Sequence, residues 1–154
     1  MRIFGLAGWS GSGKTTLMTL LIPELVSGGI TVSTLKHAHH SFDIDQPGKD
    51  SWRHRQAGAT EVMISSHNRW ALMHELRGAE EPSLHEQLDH LSPCDLVIVE
   101  GYKSEAIPKV EVHRRASHTP SSRFRAGGVL TGATAGSPWS RPLWAAFSAR
   151  GLTL

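Results

Sequence analysis

Residues 8–15 read Gly8-Trp9-Ser10-Gly11-Ser12-Gly13-Lys14-Thr15, a segment that fits the pattern G-x-x-x-x-G-K-[ST] at every fixed position. Residues 2–7 before it are largely apolar and predict a buried strand, and residues 16–22 after it predict the start of a helix. A glycine-rich turn between a strand and a helix N-terminus directs several backbone N–H groups and the helix dipole at one point. The segment therefore predicts a phosphate-binding loop, called the P-loop below, and an α/β fold of the P-loop NTPase type.

The residue types of the P-loop predict what it binds. Glycines allow the backbone to wrap closely around phosphate. Lys14 would reach the β and γ phosphates, the Thr15 hydroxyl would ligate Mg²⁺, and Thr16 lies near the α phosphate. We therefore expect a nucleoside triphosphate with Mg²⁺. The predicted nucleotide-binding residues of the loop are Gly8, Ser10, Gly11, Ser12, Gly13, Lys14, Thr15 and Thr16.

Bulk properties narrow the class of protein. A chain of 154 residues suits one domain, so we expect residues 1–154 to form a single nucleotide-binding domain. The formal net charge of +2 does not imply a nucleic-acid partner, and the single cysteine, Cys94, excludes an intramolecular disulfide. No apolar run approaches the roughly 20 residues that span a bilayer, and the N-terminus does not read as a signal peptide. We expect a cytoplasmic protein with neither a nucleic-acid nor a membrane partner.

Hydrophobic periodicity predicts a mostly parallel sheet flanked by helices, with additional antiparallel strands from residues 61–73 and 107–113. A helix that ends at Gly28-Gly29 connects the first two strands in a βαβ unit. Ser83 and Glu86 form a capping box that begins a later helix. The remaining predicted elements are a strand at 30–37, a helix at 52–57, a strand pair at 61–65 and 69–73, and strands at 94–101, 107–112 and 129–131.

Two acids bound the most apolar predicted strand, which Asp95 begins and Glu100 ends. In P-loop proteins a second acidic residue at the C-terminal end of a neighbouring strand faces Mg²⁺. We therefore expect Glu100, rather than Asp95, to contact the metal ion or a water molecule.

Other candidate ligands follow the second predicted strand. Lys36 lies at the end of that strand and could contact phosphate. Asp43 and Asp45 lie in the polar loop after it, where they either orient Mg²⁺ or an attacking water or are ordinary solvated acids. The predicted catalytic residues are Lys14, Asp45 and Glu100, and the predicted metal ligands are Thr15, Glu100 and Asp45.

Histidines and arginines outside these positions have two interpretations each. His37, His39 and His40 could bind zinc, but without a cysteine pair a polar loop near phosphates is the simpler interpretation. Arg53, His54 and Arg55 predict a solvated helix face, or an arginine there could contact an anionic substrate. The basic region around residues 114–125 predicts either an exposed loop or the lid of a small-molecule kinase.

Four stretches give the chain a family resemblance: the P-loop, residues 34–45, residues 48–59 and residues 95–103. The second reads Thr-Leu-Lys-His-Ala-His-His-Ser-Phe-Asp-Ile-Asp, and the third begins Gly-Lys-Asp-Ser and ends Ala-Gly-Ala. Over roughly residues 1–113 the chain resembles the molybdopterin-guanine dinucleotide biosynthesis adapter family, MobB.

The resemblance implies a small GTP-binding protein with weak GTPase activity and a P-loop fold. Proteins of this kind assist the guanylyltransferase that joins GMP to molybdopterin, and they tend to be homodimers. The resemblance places Thr15 and Glu100, with Asp45 as a further candidate, around Mg²⁺. It leaves open whether molybdopterin itself binds.

The residues alone do not distinguish GTP from ATP. The late strand leads into Thr131-Gly132-Ala133-Thr134, without the Asp that the family commonly carries there, and the C-terminal helix predicted at 143–147 is short. An ATP-dependent small-molecule kinase is therefore the alternative to a GTP-binding adapter.

Overall fold

The computed structural model describes residues 1–38, 41–113 and 129–134, of which 113 and 129–134 are described by their backbone. Two compact units are present, one built from Met1–His37 and the described residues from Leu88 onward, the other from Ala38–Gln87. The predicted single domain over residues 1–154 stays a prediction. The elements of the described part are β1 (Arg2–Ala7), α1 (Lys14–Ser27), β2 (Val32–Lys36), α2 (Asp50–Gln56), β3 (Glu61–Ser65), β4 (Trp70–His74), α3 (Leu84–Asp89), β5 (Leu96–Glu100), β6 (Lys109–His113) and β7 (Val129–Thr134). None of these helices is both long and apolar enough to cross a membrane.

A five-stranded sheet in the order β2-β5-β1-β6-β7 forms the centre of the first unit. Every neighbouring pair in it is parallel. The carboxyl ends of its strands therefore lie at one end of the sheet, as the predicted βαβ unit requires. This confirms the predicted α/β class and its mostly parallel sheet.

The prediction that residues 107–113 form an antiparallel strand is wrong, because β6 pairs parallel with β1. Gly5 of β1 is the register partner of both Val99 and Lys109, so β6 begins level with the last part of β5. Residues 101–108 need only to cross β1, a distance of roughly 10 Å, and can span about 26 Å when extended. This stagger permits a parallel connection too short for a helix.

Helix α1 packs its apolar stripe against one face of this sheet. Leu17 and Leu25 of α1 belong to one buried cluster with strand residues Phe4, Leu6, Leu96, Ile98, Val110 and Val112. The helix ends as predicted, with Gly29 N–H bonded to Val26 O at 3.0 Å and Ile30 N–H to Leu25 O at 3.1 Å. These two bonds form a Schellman motif, and Ile30 packs on the same cluster.

The amino end of the sheet is tied by Asp95 and Thr31. The Asp95 carboxylate accepts from Thr31 N–H at 2.8 Å and from its hydroxyl at 2.6 Å, and the Asp95 N–H donates back to that hydroxyl at 2.9 Å. These hydrogen bonds lower the pKa of Asp95. Asp95 thus has a structural role at the end of the sheet opposite Glu100, as the sequence predicted.

The second unit contains α2 and an antiparallel hairpin of β3 and β4. Val62 and Met73 are register partners on its buried face. The predicted strand pair is confirmed. The predicted capping box before α3 is confirmed as well, since Glu86 accepts from the Ser83 hydroxyl at 2.7 Å and from its N–H at 2.8 Å.

Candidate functional site: the P-loop at the carboxyl end of the sheet

The P-loop connects β1 directly to α1 and is folded around the Lys14 side chain. The Lys14 ammonium donates to the carbonyls of Gly8 and Trp9, both at 2.9 Å. The first hydrogen bond of α1 runs from Leu17 N–H to Gly13 O at 2.9 Å. The N–H groups of Lys14, Thr15 and Thr16 precede that bond, so they have no partner within the helix.

Gly8 of the P-loop is packed so closely that it has no room for a side chain. A Cβ on Gly8, whose φ is 146°, would lie 2.5 Å from Val112 O and 2.7 Å from the Ser12 hydroxyl oxygen. That hydroxyl is buried and has no hydrogen-bond partner among the described residues. A buried polar atom without a partner, beside the free N–H groups of a helix N-terminus, fits an anionic ligand that supplies acceptors.

Three charged side chains act on Lys14. Burial is the main cause that lowers the pKa of Lys14, and the positive charges of Lys103 and Lys36 lower it further. Glu100 opposes this shift. In the described part of the chain two further lysines and one glutamate therefore act on the P-loop lysine, and lysines at such a site attract polyphosphate.

The strand register explains why these residues meet. Glu100 is the register partner of Leu6 on β1 and of Lys36 on β2. The P-loop begins two residues after Leu6, and Thr15 lies in the exposed first turn of α1. A threonine hydroxyl and one carboxylate suit Mg²⁺, which is usually bound by one or two carboxylates and by phosphate oxygens.

Asp45, the third predicted metal ligand, belongs to the second unit. Its side chain is only 4% exposed. The carboxylate accepts from the Ser51 hydroxyl at 2.8 Å, from Gln46 N–H at 3.0 Å and from Arg55 Nε at 3.2 Å. These contacts anchor the loop to α2, and the role of Asp45 at a metal ion stays a prediction.

The interpretation of Arg55 as part of a solvated helix face is wrong. Its side chain is 11% exposed, and its guanidinium binds Asp43 at 2.8 Å, Asp45 at 3.2 Å and Glu75 at 2.7 Å. Hydrogen bonds to Asp43 are the largest cause that raises the pKa of Arg55. Three carboxylates thus converge on one arginine and hold it away from solvent.

The proposed histidine site falls partly outside the described residues, which do not include His39 and His40. His37 donates its backbone N–H to Glu100 O at 2.8 Å, and its ring centroid lies 5.2 Å from that of Tyr102. No three His, Cys, Asp or Glu side chains are grouped for a metal ion within residues 1–38 and 41–112. The basic region 114–125 and the helix predicted at 143–147 also lie outside the described residues.

Sequence reasoning missed two lysines that follow Glu100. Lys103 places its ammonium 5.1 Å from the centroid of the Trp9 ring in the P-loop. Lys109 is 1% exposed and donates to three backbone carbonyls of the connection 101–108. The alternation of residues 109–112 places Lys109 on the polar face of the strand, which reads as solvent-exposed, so no local signal indicated its burial.

Comparison with known proteins gives the family. The family model described as "MobB: Molybdopterin guanine dinucleotide synthesis protein B" matches residues 3–131. A molybdopterin-guanine dinucleotide biosynthesis adapter protein of Haemophilus influenzae is 45% identical over 119 residues, 77% of this chain and 66% of that protein. The protein of the same name from Escherichia coli is 45% identical over 121 residues, 77% of this chain and 69% of that protein.

Solved structures agree with this match. The crystal structure of a MobB protein homolog from Bacillus stearothermophilus has a TM-score of 0.56 and 29% identity, covering 74% of this chain and 65% of that chain. The chain therefore spans about two thirds of the length of these relatives. Because the family match runs from β1 into β7 and includes the P-loop, Lys36 and Glu100, the chain belongs to the MobB family.

Proposed function

We propose that this chain is a GTP-binding adapter with weak GTPase activity that assists the attachment of GMP to molybdopterin. The observation that carries the proposal is the P-loop, whose Lys14 is held by two loop carbonyls and acted on by two further lysines and by Glu100. The relatives from H. influenzae and E. coli are named as adapter proteins of molybdopterin-guanine dinucleotide biosynthesis. Membership of the same family supports the same role here.

The proposed nucleotide site uses the residues of the P-loop together with Lys36. Backbone N–H groups from Gly11 to Thr16 would hold the phosphates, and Lys14 would contact the β and γ phosphates. Mg²⁺, when bound, neutralises charge on these phosphates. Thr15 and Glu100 would hold the ion, whereas Asp45 is the weaker candidate because Ser51 and Arg55 already occupy its carboxylate.

Slow hydrolysis is part of the proposal. The cations whose charge acts on Lys14, among the described residues, are lysines. Fast P-loop GTPases use an arginine finger and a glutamine that orients the attacking water. An accessory protein that holds GTP rather than consuming it fits this arrangement.

The partners we propose are a guanylyltransferase of the same pathway and a second copy of this chain, with molybdopterin as a further candidate ligand, all in the cytoplasm. One face of the β3-β4 hairpin supports the homodimer. Met63 and Leu72 are register partners there, 62% and 41% exposed, and Trp70 on the same face is 63% exposed. A contiguous apolar face of this kind is typical of a protein interface.

The test is a titration of the purified chain with GTP, GDP and ATP, with and without Mg²⁺, beside the variant Lys14→Ala. We expect Mg²⁺-dependent binding that prefers GTP and is lost in the variant. Preference for ATP with phosphate transfer to an acceptor would instead identify a kinase. The adapter role is tested by adding the natural chain or Lys14→Ala to a guanylyltransferase assay. Only the natural chain should increase the yield of the dinucleotide.

A further inference from the structure

Lys103 is a charged residue of the site to which the P-loop pattern assigns no role. It follows Glu100 by three positions, is half-buried, and lies with its ammonium 5.1 Å from the centroid of the Trp9 ring. Trp9 is itself 43% exposed and is the second residue of the P-loop. The contact is a cation–π interaction that joins the loop after β5 to the P-loop.

The backbone that carries Lys103 is firmly placed. Gly101 has φ 103°, and a Cβ there would lie 2.9 Å from His37 O, so the chain turns closely against the end of β2. The Lys103 N–H donates to Gly101 O at 2.9 Å.

The Lys109 side chain holds the same loop through hydrogen bonds to its backbone. Its ammonium donates to Tyr102 O at 3.1 Å, to Lys103 O at 2.9 Å and to Glu105 O at 2.6 Å. A buried ammonium that satisfies three carbonyls holds the loop in one conformation. The backbone of Lys103 is therefore fixed. Its ammonium contacts an aromatic ring in this arrangement and can exchange that contact for a stronger one with an anion.

The direction of the side chain suits an anion bound in the P-loop. The Lys14 ammonium donates to the carbonyls of Gly8 and Trp9, the first two residues of the loop. A P-loop lysine contacts the β and γ phosphates of the bound nucleotide. The Lys103 ammonium lies over the ring of Trp9, the residue whose carbonyl accepts from Lys14, and its positive charge acts on Lys14. The positive charges of Lys14 and Lys103 repel each other until an anion lies between them.

We propose that Lys103 is a phosphate-binding residue. When a nucleotide binds in the P-loop, the Lys103 ammonium moves away from the Trp9 ring and contacts the terminal phosphate. The inference rests on the proposed nucleotide binding and extends it to one residue and one phosphate. It distinguishes a triphosphate from a diphosphate, because only the triphosphate carries a γ phosphate for Lys103 to contact. Lys103 would then report whether the site holds GTP or GDP.

The experiment compares dissociation constants of Lys103→Met and the natural chain for GTP, GDP and inorganic tripolyphosphate, by calorimetry at one Mg²⁺ concentration and ionic strength. We expect Lys103→Met to weaken binding of GTP and of tripolyphosphate about tenfold, as for the loss of a charged hydrogen bond, and binding of GDP less than about twofold. Lys103→Arg should retain most of the affinity. Arg2→Gln, which removes a positive charge at the amino end of β1, is the matched control. It should change none of the three dissociation constants.

Tryptophan emission gives a second measurement. GTP should change the emission of the natural chain, and Trp9→Phe identifies the share that comes from Trp9. In Lys103→Met that share should not respond to GTP, although the variant is saturated at higher nucleotide concentration.

The possible outcomes separate the two proposals. If Lys103→Met binds GTP as tightly as the natural chain while Lys14→Ala does not bind it, the role of Lys103 is overturned and the proposed nucleotide binding stands. Equal losses for GTP and GDP would overturn the contact with the terminal phosphate. Failure of the natural chain to bind any of the three ligands would overturn the proposed function and this inference together.

Discussion

Lys36 and Glu100 are register partners on the parallel strands β2 and β5, so a lysine and a glutamate occupy neighbouring positions at the carboxyl end of the sheet. Burial lowers the pKa of Lys14 most; Glu100 opposes this shift, whereas Lys36 adds to it. The two partners therefore act on the P-loop lysine with opposite sign. The sequence separates them by more than sixty positions, and only the strand order brings them together.

Replacing the carboxylate should change the metal dependence of nucleotide binding. We expect Glu100→Gln to weaken GTP binding in Mg²⁺ about tenfold, because a charged ligand of the ion is lost. In EDTA the variant should bind GTP at least as well as the natural chain, since one negative charge near the phosphates is gone. Equilibrium dialysis with labelled GTP measures both conditions.

Asp95→Asn is the control for Glu100→Gln. It removes the acid at the other end of the same strand, so nucleotide affinity should not change, while the melting temperature should fall through the weakened contact with Thr31. An Asp95→Asn variant that loses Mg²⁺-dependent binding would contradict the assignment of the metal to Glu100.

Replacing Lys36 should weaken GTP binding less than replacing Glu100. Lys36 is exposed, and exposed charges contribute modestly, so we expect Lys36→Met to weaken GTP binding about fivefold or less. Binding should also become less sensitive to salt, because one cation no longer meets the phosphates. Titrations at two salt concentrations measure this, and a variant with unchanged affinity and unchanged salt dependence would remove Lys36 from the site.

Gly8→Ala should destabilise the fold. The new methyl would lie 2.5 Å from Val112 O at a φ of 146°, so either β6 moves or the loop changes shape. We expect a loss of about 1–3 kcal/mol in the free energy of unfolding, measured with urea. Gly11→Ala is the matched control, because it has a positive φ but no atom within 4 Å, and it should cost less.

Stability in acid should reveal the ion pairs of Arg55. The pKa of Asp43 is lowered, mainly by its hydrogen bonds from Arg55. A carboxylate whose pKa is lowered on folding stabilises the fold above its unfolded-state pKa of 3.8, and this contribution is lost as pH falls through the folded-state pKa. Asp45 and Glu75 form ion pairs with the same guanidinium.

We therefore expect Arg55→Met to have a lower melting temperature than the natural chain at neutral pH. Below pH 3.8 the two melting temperatures should approach each other. Arg53→Met, on the exposed side of α2, should have little effect at either pH. A difference between Arg55→Met and the natural chain that is the same at both pH values would show that packing, rather than charge, accounts for the loss.

Local sequence signals predicted the features that depend on neighbouring residues. The P-loop, the end of α1 at Gly28-Gly29, the capping box at Ser83 and the hairpin all follow from turn chemistry and periodicity. Glu100 was also assigned correctly to the carboxyl end of the sheet, because a buried strand fixes which of its ends each acid occupies.

Features that depend on distant residues could not be predicted from the sequence. Residues 107–113 were predicted as an antiparallel strand, and the stagger of β6 against β5, which permits the parallel pairing, leaves no local signal. Arg55 lies in a helix that reads as solvated, and its acids are up to twenty positions away. Lys103 meets Trp9 only after β1 and β5 have paired.

The contact between Gly8 and Val112 has a consequence for the order of events during synthesis. The P-loop leaves the ribosome before β5 and β6, which flank β1 on either side and follow roughly ninety residues later. At a synthesis rate of about 5–20 residues per second the loop waits several seconds for the strands that shape it. A nascent chain that stops before Leu96 would carry the whole phosphate-binding motif and still bind no nucleotide, so ligand capture marks the completion of the sheet.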